Sequence, residues 1–254
     1  LARTILALES AGVDPREFGG TNLVSRLLAK RRDDGSYENW PNSTAFAVIA
    51  LRTAGATGSL EKSLSWLNQV QNDDGGWGDL PGSPSTADGT GAVLQALAPG
   101  SKASDRGLSY LRQAQRPGGG FPLAGNGSVN AQSTAWSIEG ILATGGDPAS
   151  FRRGGKSAPE YLAAQQQGDG HYRYSRDSNQ TPVWVTGQVL VAAAGDVYPV
   201  PAPARESAPS PSSGKVATPV LTPATSPSDG VAPPVTSPPG VSGSSPVPPT
   251  TPDN

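Results

Sequence analysis

The chain has 254 residues with 19 basic and 21 acidic side chains, and its net charge of −2 leaves no electrostatic footprint for nucleic acid. It contains no Cys and one His, which excludes disulfides, thiol nucleophiles and thiolate metal ligands. No stretch approaches the roughly 18 apolar residues of a membrane span, so none is predicted.

The first stretch, LARTILALES, starts inside a helical pattern and without Met, from which a processed or shortened beginning is expected. Nine helices are predicted in chain order. The first covers 1–11 and is closed by Gly12 and Asp14-Pro15; the second covers 21–32. After a break at Pro41, residues 42–54 form the third and 62–71 the fourth. The remainder cover 85–98, 106–115, 130–144, 159–167 and 181–195. The helices at 42–54, 85–98, 130–144 and 182–194 open with Asn, Ser, Thr or Pro and then run apolar on nearly all sides, as in NAQSTAWSIEGILATG, so they should line an interior. The helices between them are amphipathic, with Lys62, Arg106 and Arg112 free to face water, and should form an outer layer.

Each outer helix ends in one repeated motif. KSLSWLNQVQNDDGGWG (62–78) returns as RGLSYLRQAQRPGGGF (106–121) and as APEYLAAQQQGDGHY (158–172), always as an aromatic, a Gln, a Gly and a closing aromatic in one register. Trp66, Gln71, Gly75 and Trp77 thus correspond to Tyr110, Gln115, Gly119 and Phe121, and to Tyr161, Gln166, Gly170 and Tyr172. A looser copy around Leu27, Gly35 and Tyr37 precedes them. The closing aromatics lie 40, 44 and 51 residues apart, the length of one helical hairpin with its loops. The Gly should take φ > 0 to end the helix, and the Gln should reach the backbone groups freed there. Hairpins stacked in this way bury their apolar faces on one another.

After Tyr198 the composition changes. Residues 199–254 hold sixteen of the 26 Pro together with Ser, Thr, Val, Ala and Gly, and no aromatic, so this segment is predicted to be a disordered stalk or linker. The predicted organisation is a repeat domain over 1–198 and a Pro/Ser/Thr-rich tail over 199–254.

The Gln-to-aromatic turns WLNQVQNDDGGW and YLRQAQRPGGGF resemble those of the terpenoid cyclase and protein prenyltransferase superfamily. The resemblance implies an all-α fold, an α/α toroid of helical hairpins, here an incomplete ring of about nine helices where a full one has twelve. That agrees with loss of the front of the chain. It also implies chemistry to look for. Cyclases of this type protonate an alkene with an Asp in Asp-x-Asp-Asp-Thr, and the matching segment reads Thr86-Ala87-Asp88-Gly89-Thr90, with Asp88 as the lone candidate acid. The prenyltransferases' zinc needs Asp, Cys and His. With no Cys, and with His171 in an outer turn, no metal site is predicted. The acidic turns at Asp33-Asp34 and Asp73-Asp74 lack the spacing of an EF-hand loop.

The expected function is that of a secreted or cell-wall-associated, non-catalytic scaffold or binding module, without a cofactor. It would take a small-molecule, glycan or protein ligand at a mouth formed by the inner-helix starts: Asn42, Thr44, Thr86, Asp88, Asn130, Gln132, Ser133, Gln180 and Trp184. The alternatives the resemblance implies are a squalene/hopene-like terpene cyclase and a cobalamin-binding protein.

Overall fold

The computed structural model describes residues 1–201. The predicted tail therefore lies, from residue 202 on, outside the described residues. Among the described residues there are nine α-helices in two alternating kinds. The inner ones are α1 (Ala2–Ser10), α3 (Pro41–Thr53), α5 (Ala87–Ala96), α7 (Ala131–Ala143) and α9 (Pro182–Ala193). The outer ones are α2 (Leu23–Leu28), α4 (Leu60–Gln69), α6 (Lys102–Ala114) and α8 (Ala158–Ala163). Inner helices pack on one another in the order α1, α3, α5, α7, α9, and each of the first four also packs on the outer helix that follows it. The result is an all-α, toroid-like arc of hairpins.

Burial separates the two kinds in the middle of the arc, where α3, α5 and α7 are buried far more completely than α4 and α6. In α7 all residues from Ser133 to Ile141 are buried, whereas α6 buries only Ser104, Gly107 and Leu111, a single stripe at helical spacing. The closest inner approach is between α5 and α7. A Cβ on Gly91 would lie 2.2 Å from the Trp136 carbonyl oxygen, so only Gly lets the two backbones meet there.

The structure corrects several predicted boundaries. Pro41 does not break the chain but is the first residue of α3, where its missing N–H costs nothing. α4 stops at Gln69, so Gln71 lies in the turn rather than on the helix. α6 starts at Lys102, four residues before Arg106, because Ser101 caps it by accepting from the Ser104 N–H. Two small ladders were not predicted: β1 (Phe121–Pro122) with β2 (Val129–Asn130), and β3 (Arg152–Arg153) with β4 (Lys156–Ser157). Both are antiparallel, two residues long and confined to links between helices.

Candidate functional site

The repeated turns work as joints. The Gln71 amide donates to Gly75 O at 2.8 Å within its own turn and to Ala103 O at 2.9 Å in the next hairpin. Gln115 does the same with Gly119 O at 2.9 Å and Phe151 O at 2.7 Å. Gly35, Gly75 and Gly119 have φ of 97°, 90° and 88°, and a Cβ on them would strike the carbonyl of Lys62, Arg106 or Ser157 in the following outer segment. Among the described residues no hairpin follows the last copy. Gly170 keeps φ 92° but meets nothing within 4 Å, and the exposed Gln166 reaches only Gly170 O, at 3.5 Å. Trp66, Trp77, Phe121, Tyr161 and Tyr172 are buried, and Tyr110 is half-buried with its hydroxyl donating to Ser85 O.

A further repeated contact went unseen in the sequence. The backbone N–H groups of the closing aromatics Tyr37, Trp77, Phe121 and Tyr172 donate to the side-chain hydroxyls of Thr44, Thr90, Thr134 and Thr186 on the inner helices. These four threonines set a common register. One residue after them stand Ala45, Gly91, Ala135 and Gly187; two residues after them stand Phe46, Ala92, Trp136 and Gln188.

Three of the second set, Phe46, Trp136 and Gln188, open onto a cleft of about 650 Å³ at the open side of the arc, between α1 and α9. Phe46, Trp136, Trp184 and Tyr198 bring aromatic groups to its wall, Leu6 and Val183 add apolar surface, and Arg3, Ser10 and Gln188 are polar. Phe46 and Trp136 meet edge to face at 5.6 Å, and the Arg3 guanidinium lies 4.8 Å from the Phe46 ring. Gly187 faces this cleft, and a Cβ added there would meet nothing within 4 Å, whereas the space beside Gly91, at the same register, is filled by α7. The cleft thus occupies the place where a next inner helix would pack.

Beside it lies Glu139, fully buried in α7. Its Oε1 accepts from the Gln188 amide at 2.7 Å and its Oε2 from the Gln95 amide at 3.4 Å. Burial pushes its carboxyl up to about 8 against the pull of those two bonds. Gln188 is itself part of the cleft wall, so this polar chain reaches the cavity through it.

The nine predicted mouth residues stand at or near the starts of α3, α5, α7 and α9. Thr86 caps α5 by accepting from Gly89 N at 2.9 Å, and Asn130 caps α7 by accepting from Ser133 N at 2.7 Å and donating to Ser133 Oγ at 3.0 Å. Thr44 is taken by Tyr37. Asn42 and Gln132 are half-buried in the first turns of α3 and α7, and Gln180 is exposed ahead of α9. Of the nine, Trp184 alone lines the cleft. Asp88 sits in the first turn of α5, two turns before Gln95, with its Oδ1 buried and unpartnered. Burial raises its pKa to about 6, opposed by a hydrogen bond from Ser133 and reinforced by the charge of Asp79.

The acidic turns bind their own backbone. Asp34 Oδ1 accepts from Ser36 N at 2.8 Å, and Asp74 Oδ1 from Gly76 N at 2.9 Å and Ser85 Oγ at 2.7 Å. His171 is held in its turn between Asp169 at 2.5 Å and Asn179 at 3.0 Å. Among the described residues no three His, Cys, Asp or Glu side chains form a metal-binding group, and no helix is long and apolar enough to cross a membrane. The cleft has the volume of a site for a drug-sized ligand.

No protein-family model matches the chain. It is 33% identical over 140 residues to a drimenyl diphosphate synthase of Streptomyces showdoensis, a match covering 48% of this chain and 26% of the synthase. It is 30% identical over 154 residues to a squalene–hopene cyclase of Zymomonas mobilis, covering 48% of this chain and 23% of the cyclase. Sequence links the chain to the terpenoid cyclase and prenyltransferase superfamily. The chain spans about a quarter of the length of these curated relatives. In structure it is similar to a protein from Actinoplanes, with TM-score 0.58 and 18% identity over 77% of this chain and 65% of that one. It is also similar to a polysaccharide lyase, with TM-score 0.57 and 15% identity over 76% of this chain and 71% of that one. At these identities the two likenesses show the fold alone.

Sequence reasoning missed Glu139, Gln95, Gln188, Arg3 and Tyr198. A signal was present for the first three: each is a long polar side chain beyond the first turn of an otherwise apolar inner helix.

Proposed function

We propose that this domain binds an apolar, isoprenoid-type molecule in the cleft between α1 and α9. The observation that carries the reading is the convergence of Phe46, Trp136, Trp184 and Tyr198 on one cavity of about 650 Å³. Such walls favour a hydrocarbon body through burial and dispersion. The relatives are named for isoprenoid compounds, which supports that ligand class over a glycan. The Pro-, Ser- and Thr-rich sequence after residue 201 supports a module presented outside the cell or at its wall. Titration of the full chain with farnesol, followed by tryptophan fluorescence, should saturate, and Trp136→Ala should weaken binding about tenfold or more. Non-saturating signals for both proteins would contradict the reading.

A second reading, acid-initiated cyclisation, is favoured by one observation: Asp88 carries a carboxyl raised to about 6 with a buried oxygen that has no partner. A carboxyl so placed keeps its proton closer to neutrality than an exposed Asp does. Asp88 is not among the residues lining the cleft, which is why binding is the leading reading. Incubation with squalene and with farnesyl diphosphate, comparing the wild type with Asp88→Asn, decides it. Cyclised product that disappears in the variant establishes the enzyme, and no product from the wild type leaves binding.

A further inference from the structure

The chain that leaves α9 does not depart from the domain at once. It turns back across the open side of the arc and is fastened there by groups from four other helices. The Tyr198 backbone N–H donates to Gln95 Oε1 on α5 at 3.1 Å. The Tyr198 ring stands 5.8 Å from Phe46 on α3, at 64°, and 6.2 Å from Trp136 on α7, at 37°. Two residues later, Ser10 Oγ on α1 donates to Val200 O at 2.7 Å. Tyr198 is thereby one of the walls of the cleft, and the one aromatic wall that belongs to no helix.

Resting on the reading of the cleft as a ligand site, we infer that residues 196–200 are a strap that completes the site. Tyr198 is its specificity-determining residue, and strap docking and ligand binding reinforce each other. Three observations lead there. Beyond the Asp196 N–H bond to Val191 O at the end of α9, the strap is held by two hydrogen bonds and two ring contacts, few enough for it to open while the helices stay folded. Its ring is only half-buried, and the cavity remains open beside it, so it forms a surface for a ligand rather than a plug. Its anchor Gln95 shares the Glu139 carboxyl with Gln188, which tethers the strap and the cleft wall to one polar chain. A ligand packed on Tyr198 adds contacts only when the strap is down, and by linkage a docked strap must then raise affinity by the factor by which the ligand favours docking.

The test uses the full chain and the neutral fluorescent probe N-phenyl-1-naphthylamine. Tyr198→Ala should weaken probe binding about tenfold, within the usual range of such couplings, and Tyr198→Phe, which keeps the ring, should stay within about twofold of wild type. In the wild type alone, saturating probe should slow hydrogen exchange at the Tyr198 amide by about the same tenfold. That readout needs no variant to fold. Equal or tighter binding by Tyr198→Ala, or unchanged exchange at Tyr198, while Trp136→Ala loses the probe, overturns the strap and leaves the cleft reading standing. Absence of saturable binding in the wild type and in all three variants overturns the cleft reading and the strap's role with it.

Discussion

The turns and the interior of this arc follow opposite rules. At the turns, the same atoms recur in hairpin after hairpin: Gln71 and Gln115 bridge to the next hairpin, and four threonines receive the N–H of four closing aromatics. In the interior, the position two residues after each threonine is Phe46, Ala92, Trp136 and Gln188 in turn. Repetition at the joints fixes how hairpins stack, and variation on the inward face is then free to shape a cavity. The electrostatics differ in the same sense. The turn carboxylates of Asp34 and Asp169 are held below the usual range by hydrogen bonds from Ser36 and His171, whereas burial raises the interior carboxyls of Glu139 and Asp88.

The largest expected effect breaks a joint. Trp77 is fully buried and its indole N–H donates to Leu67 O at 2.8 Å. Trp77→Ala should cost about 3–5 kcal/mol in urea unfolding, and a loss below about 1 kcal/mol would show that the turns do not carry the stacking.

The next concerns the interior. Glu139 titrates near 4.5 when unfolded and near 8 when folded. Below pH 4.5 both states are protonated and the group costs nothing. Between 4.5 and about 8 the unfolded chain is ionised and the folded one is not, so stability falls as pH rises, and the loss is complete above about 8. Between about pH 5 and about pH 7.5 the decline is on the order of 3 kcal/mol. Denaturation at stepped pH should show this decline in the wild type and a much flatter profile in Glu139→Gln; equal slopes would contradict the assignment.

The smallest effect sharpens the joint itself. Gly119→Ala and Gly170→Ala both place Ala at positive φ, but only the first drives a Cβ to 2.2 Å from a carbonyl oxygen, that of Ser157. Gly119→Ala should therefore be the more destabilising by about 1–3 kcal/mol in thermal unfolding. Equal losses would mean that the close approach relaxes freely.

Much of the fold was legible because its signals are local. Apolar periodicity, turn glycines and the recurring Gln place all nine helices, with errors at ends such as Pro41 and Lys102, where a first-turn Pro and a Ser cap decide the boundary. The site was less legible for two physical reasons. Thr86, Asn130 and Ser133 look like a polar rim, but free N–H groups at the helix starts claim Thr86 and Asn130 first, and the Asn130 amide takes the Ser133 hydroxyl. Gln95, Glu139 and Gln188 stand out singly in apolar helices, yet they are 44 and 49 residues apart, and only the stacking joins them. Tyr198 was obscured by its place beside the change in composition, where a chain leaving the domain and a chain crossing it read alike.

The central claim is that ligand contact belongs to the interior and stacking to the joints, and four of the five tryptophans divide along that line. Trp136 and Trp184 line the cleft, while Trp66 and Trp77 are buried around the repeated turns. The most direct measurement is a fluorine NMR titration of the 5-fluorotryptophan-labelled chain with farnesol, with resonances assigned by single Trp→Phe variants. The account predicts saturable shifts of the Trp136 and Trp184 signals with Trp66 and Trp77 unmoved. Shifts confined to Trp66 and Trp77, or no saturable shift at Trp136, would contradict it.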